Sequence, residues 1–463
     1  MQSKLTKKYG IFTAVCTVVG IVIGSGIFFK ASKVLDVTGG SLQMALLTVG
    51  VVGVIMLICS YIFSILAGRY EKVNGIVDYA ESAVGRSYGY MMAWFMTTIY
   101  TPVLTAILAW VTARYTASFL GFSQFSMEAA AFAAMYLILG FAVNSLSPKL
   151  GGKVQVATTV IKMIPIVLMA VVGTIVGVIR GTTVQAFVET TRQMTAGGSS
   201  IMTAIVAFAF AYEGWIVATT INSELKNSKK NLPRALIIGA IIIILVYLAY
   251  FVGLSGSMPV NDLIRVADLP KEAFSSVFGG FAGSIIYVFI IISCYGTMNA
   301  LMMGCIRNAY SLGARDEGVC PELYSQVCKK TNAPYNSAII GLLLSGFWLA
   351  YIYVCWTASD ITQTAALPDF VTWEPDELPI ITLYAGYIPI FISMMIKEKD
   401  LNWFKRFAMP ILGLLSSVFM VYCAIVAYGM DSLYYLIFFV IVMAIGVIFY
   451  FKKKRPAQNA EEA

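Results

Sequence analysis

The sequence predicts an all-α membrane protein of twelve transmembrane helices: an inverted five-plus-five helix repeat with broken helices 1 and 6, plus two extra C-terminal helices. Three observations carry that reading: the composition, the charge of the loops, and two interruptions placed five helices apart. Of the 463 residues, 59% are hydrophobic and only 12% are charged, with a mean hydropathy of +0.81. Soluble globular chains carry about 25% charged residues, and half that share cannot solvate the surface of a water-soluble fold this long. A cytosolic enzyme, a secreted domain and a disordered chain are therefore excluded. The apolar runs are long and unbroken, which also excludes a transmembrane barrel built from alternating strands of roughly ten residues.

A helix needs roughly 20 apolar residues to cross the hydrocarbon. Runs of that kind lie near 11–29, 41–67, 89–112, 127–147, 154–178, 200–223, 235–256, 282–306, 335–357, 379–396, 407–429 and 431–451. Gly39, Gly40 and Ser41 read as a turn and N-cap before helix 2. Pro233 reads as the first residue of helix 7, where a missing N–H costs nothing. Ala333 and Pro334 open helix 9, and the charged run from Lys397 to Asp400 closes helix 10. No connecting segment is long enough to fold alone, so residues 1–463 form a single transmembrane domain. Within it, 11–178 is the first inverted repeat, 200–396 the second, and 407–451 holds helices 11 and 12.

Orientation follows from the Lys and Arg tally. With the N-terminus inside, 24 of the 32 basic residues fall in inside segments and seven in outside loops, which leaves Lys162 within a helix. Both termini are therefore expected in the cytoplasm of a multi-pass cell-membrane protein. The net charge of +8 is spread over these loops, so no nucleic-acid partner is expected; the bilayer is the surrounding partner. The short basic N-terminus shows no cleavage-site pattern, and no signal peptide is read. The chain has no His, which removes imidazole acid–base chemistry and imidazole metal binding. No Cys pair has zinc spacing, and no phosphate-cradling G-x-x-x-x-G-K loop is present. No cofactor, metal or catalytic centre is expected.

Two helices look broken. In helix 1, Gly24 and Gly26 flank Ser25 inside an apolar run from Ile21 to Phe29, and each glycine costs about 1 kcal/mol of helix propensity relative to Ala. The alternative is a small-residue patch for close helix packing. In helix 6, Glu213 and Gly214 interrupt the run from Ala207 to Ile216. A carboxylate at that depth is costly unless it faces water or a partner; the plainer alternative is a Glu213 hydrogen-bonded within the bundle. Helices 1 and 6 run in opposite directions. Broken helices so placed are the sign of an inverted repeat that holds substrate near the midplane.

At these residues the chain resembles the amino acid–polyamine–organocation superfamily, and within it the bacterial members of the L-amino-acid transporter family. The matching segments are Gly24 to Phe28, Phe210 to Trp215, Asn222 to Asn227, Asn231 to Ala235, Gly296 to Ala300 and Arg307 to Tyr310. Two departures stand out. Asn74, Gly75 and Ile76 replace a paired glycine after helix 2. The loop 113–126 holds no Cys, where the animal members use one to bond a partner glycoprotein. No disulfide-linked heavy subunit is therefore expected. Tyr247 and Tyr250 are both candidates for the helix 7 tyrosine that family members carry near the site.

The half-helix that starts at Gly26 and Ile27 offers free N–H groups and a positive dipole end to the carboxylate of an α-amino acid, and Ser25 adds a hydroxyl donor. Carbonyls near Ile23, Phe210 and Ala211 would accept from the ammonium. The candidate substrate-binding set is Ile23, Gly24, Ser25, Gly26, Ile27, Phe210, Ala211, Tyr212 and Glu213. The resemblance implies that Phe210 is an outer gate; on its own it reads as a packing aromatic. It also implies that Lys162, in helix 5, takes the place of a coupling Na⁺ by bonding carbonyls near Val22 and Ile23; the plainer alternative is an interface lysine. Glu213 is open to three roles: pairing with a cationic side chain, carrying a proton, or bonding freed backbone. The expected function is sodium-independent transport of L-amino acids by alternating access, as an exchanger of small neutral ones. Proton-coupled transport and transport of cationic amino acids or polyamines are the alternatives. A membrane channel is the rival of another class, but no ring motif or repeated pore loop supports it.

Overall fold

The computed structural model of the chain describes all residues except 1–9, 25, 71–74, 189–198, 220–224, 267, 329, 332, 363–372 and 462–463. Eleven of the described helices are long and apolar enough to cross a membrane, and one bent pair makes a twelfth span. That pair, Ile11–Val22 and Gly26–Val37, is bent by 46° and forms span 1. Spans 2 to 6 are Leu42–Arg69, Arg86–Phe119, Met127–Leu146, Leu150–Arg180 and Ile201–Thr219. Spans 7 to 12 are Ser228–Gly256, Gly280–Ala314, Tyr335–Trp356, Leu378–Lys397, Phe404–Tyr428 and Met430–Lys452. Each of the twelve expected runs contains a helix among the described residues. Spans 1 to 5 and 6 to 10 make the two halves, with the breaks in spans 1 and 6, and spans 11 and 12 follow.

Several ends form for the reasons the residues suggest. Ser41 caps span 2 by accepting from the Met44 N–H at 3.4 Å, with Gly39 and Gly40 at positive φ just before it. Ser126 caps span 4 through the Ala129 N–H at 3.3 Å. The helix of span 10 ends at Lys397.

Other ends differ from expectation. Pro233 does not start span 7; the helix begins at Ser228, and Pro233 lies inside it. The missing Pro233 N–H leaves the Lys229 carbonyl without its helical donor, but Lys229 is at the exposed end of the span, where water can serve it. The helix of span 5 begins at Pro148 rather than near 154, so Lys162 sits deeper than a start at 154 implies. In span 3, Pro102 follows a π-helical turn, Met96–Tyr100. The wide turn absorbs the donor that proline lacks.

Ion pairs stand at both ends of the bundle. At the end that carries residue 11, Arg69 pairs with Glu398 and Asp400, both at 2.7 Å. Nearby Arg86 pairs with Glu317 at 3.1 Å, and Arg315 binds Glu81 at 2.7 Å as well as Asp78. Between these pairs and the centre lies an aromatic layer, with Phe63 4.8 Å from Tyr387 and 5.7 Å from Trp215 between ring centroids. At the opposite end, Lys30 is buried and pairs with both Asp376 and Glu377. Lys33 adds a bond to Glu377 at 2.9 Å.

Candidate functional site

The break in span 1 follows from helix termini. An α-helix leaves its last four carbonyls without helical donors. The first half ends at Val22, and Ile23 is extended, with φ −67° and ψ 100°. Of the last carbonyls, that of Val19 accepts the Ile23 N–H at 2.8 Å. The Gly20 carbonyl accepts from the Lys162 ammonium, and that of Val22 accepts the Tyr247 hydroxyl at 3.1 Å. Lys162 is fully buried. Its acceptor is the Gly20 carbonyl, a turn's length or less before the carbonyls near Val22 and Ile23 that the resemblance implies.

Span 6 breaks differently. Its α-helix ends at Ala209, and Phe210–Tyr212 tighten into a 3₁₀ turn. Glu213 is extended, and Gly214 takes φ +100°, a region that favours glycine. The Ala211 carbonyl accepts the same Tyr247 hydroxyl at 2.8 Å. One phenol therefore bridges both breaks. The Tyr212 hydroxyl instead reaches the Val49 carbonyl in span 2 at 3.0 Å.

The breaks meet around a small cavity of about 30 Å³, room for a few waters at most. Its walls include Gly24 and Gly26 from span 1, Phe210 and Glu213 from span 6, Leu104 from span 3 and Thr297 from span 8. Gly26 is needed here for close approach: a Cβ on it would lie 2.7 Å from the Ala211 Cα. A Cβ on Gly24 would collide with Thr297. The small-residue packing reading and the broken-helix reading are thus both true of this run. Phe210 is buried; its ring sits 5.2 Å from that of Phe29, and the Lys30 ammonium stands 5.6 Å from its centroid. It packs under the buried charge cluster rather than against lipid.

Glu213 is 8% exposed and lines the cavity. Its Oε1 accepts the Tyr100 hydroxyl, which the π-turn of span 3 carries. Its Oε2 has no hydrogen-bond partner among the described residues.

Of the candidate set, Gly24, Gly26, Phe210 and Glu213 share the wall of one cavity. Ile23, Ile27, Ala211 and Tyr212 lie buried behind it, and Ser25 lies outside the described residues, as do Asn74, Asn222, Ser223 and Glu224. The carbonyls of Phe210 and Ala211 are already engaged, by the Glu213 N–H at 3.2 Å and by Tyr247. Ile21, Val22 and Gly214, from the same two breaks, also line it, and Leu104, Leu108, Thr297 and Leu301 complete the cavity wall. Of the last four, only Thr297 has a signal in the sequence, as part of the Gly296 to Ala300 segment. Between the two helix 7 candidates, Tyr247 is the one that touches the breaks; Tyr250 packs edge-on against Phe28 at 6.0 Å.

Comparison with known proteins bears on the fold and the family. The solved structure of MhsT in complex with L-phenylalanine superposes with a TM-score of 0.58 at 13% identity, over 90% of this chain and 98% of that one; this similarity concerns the fold. The serine/threonine exchanger SteT of Bacillus subtilis (strain 168) is 27% identical over 427 residues, 90% of either chain. The b(0,+)-type amino acid transporter 1 of Homo sapiens is 26% identical over 455 residues, 97% of this chain and 88% of that one. The resemblance read from the motifs extends through nearly the whole length: the model of the amino acid permease family matches residues 9–450, and the chain belongs to that family.

Proposed function

We propose that this protein is a sodium-independent exchanger of small neutral L-amino acids that works by alternating access. The observation that carries the reading is the pair of broken spans, joined by Tyr247 and facing one small cavity. A free amino acid is a carboxylate and an ammonium a few ångströms apart. The start of the half-helix at Gly26 suits the first, and polar groups of both breaks suit the second. The small cavity and the similarity to a serine/threonine exchanger favour small substrates. Family membership makes a transporter rather than a channel or an enzyme the simplest reading.

In this reading Ile23, Gly24, Ser25, Gly26, Ile27 and Phe210 to Glu213 form the substrate site, with Phe210 as its outer gate. Lys162 does the work of a coupling cation, because an ammonium already holds the end of the first half-helix. Residues 11–178 and 200–396 are the two halves that rearrange about the site. Both termini are cytoplasmic, by the excess of basic residues in the segments on that side. The absence of a Cys from 113–126 favours action without a disulfide-linked heavy subunit.

Uptake of labelled serine into proteoliposomes tests the function. Uptake should be strong when the vesicles are preloaded with unlabelled serine and weak when they are empty, and it should persist with choline in place of Na⁺. Equal uptake by empty and loaded vesicles would rule out obligatory exchange.

A further inference from the structure

We propose that the cleft between spans 2 and 11 seats one acyl chain of a phospholipid, and that the seated chain braces span 2 against the break in span 6. The seat goes beyond the exchanger reading and stands without it; only its effect on substrate rests on that reading.

The cleft arises because span 11 changes partner along its length. In the half near Phe404 it lies directly on span 2: a Cβ on Gly413 would come 2.4 Å from the Ile62 Cδ1, and the rings of Tyr61 and Phe404 are 6.3 Å apart between centroids. In the other half it leans on span 6 instead, where the Cys423 thiol meets the Met202 sulfur at 3.4 Å. Spans 2 and 11 therefore part, and a cleft of about 550 Å³ opens between them. Leu46, Gly50, Val54 and Ile58 line one side, Leu415 and Phe419 the other. Gly50 deepens it, since nothing lies within 4 Å of where its Cβ would be. Ser416 is the one polar residue of the lining, and Val54 and Leu415 are each more than half exposed.

The dimensions select the occupant. From Leu46 to Ile58 is about 18 Å of helix. The cleft starts about one turn from the Leu42 end of span 2 and closes near the middle of that span. It therefore has the depth of one leaflet, half of a hydrocarbon core about 30 Å thick. Its volume spread over that length leaves a channel roughly 6 Å across. A helix from another protein is about 10–12 Å across with its side chains and crosses both leaflets, so it does not fit a cleft that shuts at mid-membrane. A single hydrocarbon chain is narrow and ends there. Left empty, the walls would lose dispersion contacts, and the bilayer offers chains on that side at all times. In the proposed orientation this is the outer leaflet.

The same stretch of span 2 touches the candidate site from its inward face. The Val49 carbonyl accepts the Tyr212 hydroxyl at 3.0 Å, and a Cβ on Gly53 would come 2.8 Å from that hydroxyl oxygen. Span 2 is thus held between the cleft and the 3₁₀ turn of span 6. A chain in the cleft limits its outward movement and so keeps the turn in its present shape.

Native mass spectrometry tests the seat, on protein reconstituted in palmitoyl-oleoyl phosphatidylglycerol and extracted in mild detergent. Wild type should keep one phospholipid. Gly50→Phe fills the cleft from a position with free space and should lose it, whereas Leu139→Phe, at an exposed position of span 4, should keep it. No lipid on the wild type, or equal retention by Gly50→Phe, overturns the proposal. So does a wild-type dimer that Gly50→Phe turns into a monomer, because the occupant is then a second copy. Displacement of the phospholipid by equimolar cholesterol also overturns it, because a rigid ring system then fits better than a chain. If Gly50→Phe does not fold, Val54→Phe takes its place. The bracing is read separately, as serine affinity. Returning one equivalent of the phospholipid to delipidated wild type should raise it roughly fivefold, and should not do so in Gly50→Phe. No gain in the wild type overturns the bracing. If serine does not bind even with lipid present, the exchanger reading fails, and the lipid count still decides the seat.

Discussion

The two breaks solve the same problem in opposite ways. In span 1 the freed carbonyls are claimed by side chains from other spans, Lys162 at Gly20 and Tyr247 at Val22. In span 6 the chain turns through Gly214 at φ +100°, its carbonyls are taken by the Glu213 N–H and by Tyr247, and one buried Glu213 oxygen is without a hydrogen-bond partner among the described residues. The first break is held by side chains from other spans. The second keeps one polar atom unpaired. A binding site needs both: a surface that holds its shape and a group that still lacks a partner.

The largest effect is expected where the breaks touch. Gly26→Val places a branched side chain against the Ala211 backbone, 2.7 Å from a Cβ that already has no room. Backbone cannot step aside as a flexible side chain can. Substrate binding should be lost, measured as labelled serine retained by purified protein; normal binding would mean that the two spans can separate here without consequence.

Lys162→Ala should come next. It removes the donor from the Gly20 carbonyl at a buried site, a cost of about 1–3 kcal/mol, or roughly five- to 150-fold in the population of the competent shape. Exchange should fall accordingly while the protein still purifies as a monodisperse species. Near-normal exchange would show that span 1 holds its bend without this lysine.

Gly214→Ala tests the other break. Its φ of +100° strains any L side chain, and the new Cβ would lie 2.9 Å from the Ile21 Cγ2. A loss of about 1–3 kcal/mol is expected, read as a drop in melting temperature that bound serine partly restores. A variant as stable as wild type would show that the turn tolerates another backbone shape.

Tyr247→Phe is the mildest. It deletes the bridge but leaves the ring, which packs 5.0 Å from Tyr212 between centroids. The one hydroxyl hydrogen shared between the two carbonyls is worth about 1 kcal/mol, so a several-fold rise in the concentration for half-maximal exchange is expected. No change at all would mean that the breaks are held by their flanking helices rather than by the shared phenol.

How much of this was legible in the sequence depended on distance along the chain. The twelve spans, the glycines of the first break and the carboxylate of the second are local signals, visible as interruptions of apolar runs. Lys162 was visible because a cation inside a helix is rare. Its acceptor was not, because Lys162 and the Gly20 carbonyl lie 142 residues apart in the chain. Pro233 was misjudged for the same reason: nothing local shows that the helix starts at Ser228, in a segment where water can replace the lost bond. Lys30 and Lys33 counted as outer-loop charges, and nothing local showed that Lys30 is buried against acids 346 and 347 residues away. Leu104 and Leu108 carry no signal at all, since an apolar residue in a membrane helix looks alike whether it faces lipid, protein or substrate.

The buried Lys30 cluster also sets a temperature dependence. Water around a charge is ordered, and its hydration becomes less favourable on heating; withdrawing ions from water therefore costs less when warm. Lys30, Asp376 and Glu377 are nearly inaccessible in this state, with side chains 3%, 3% and 0% exposed. Any state that wets them gives up a direct pairing and gains hydration, with enthalpy in its favour and entropy against it. The sealed arrangement is then favoured by warming and the wetted one by cooling, so the cluster acts as a latch whose grip is entropic.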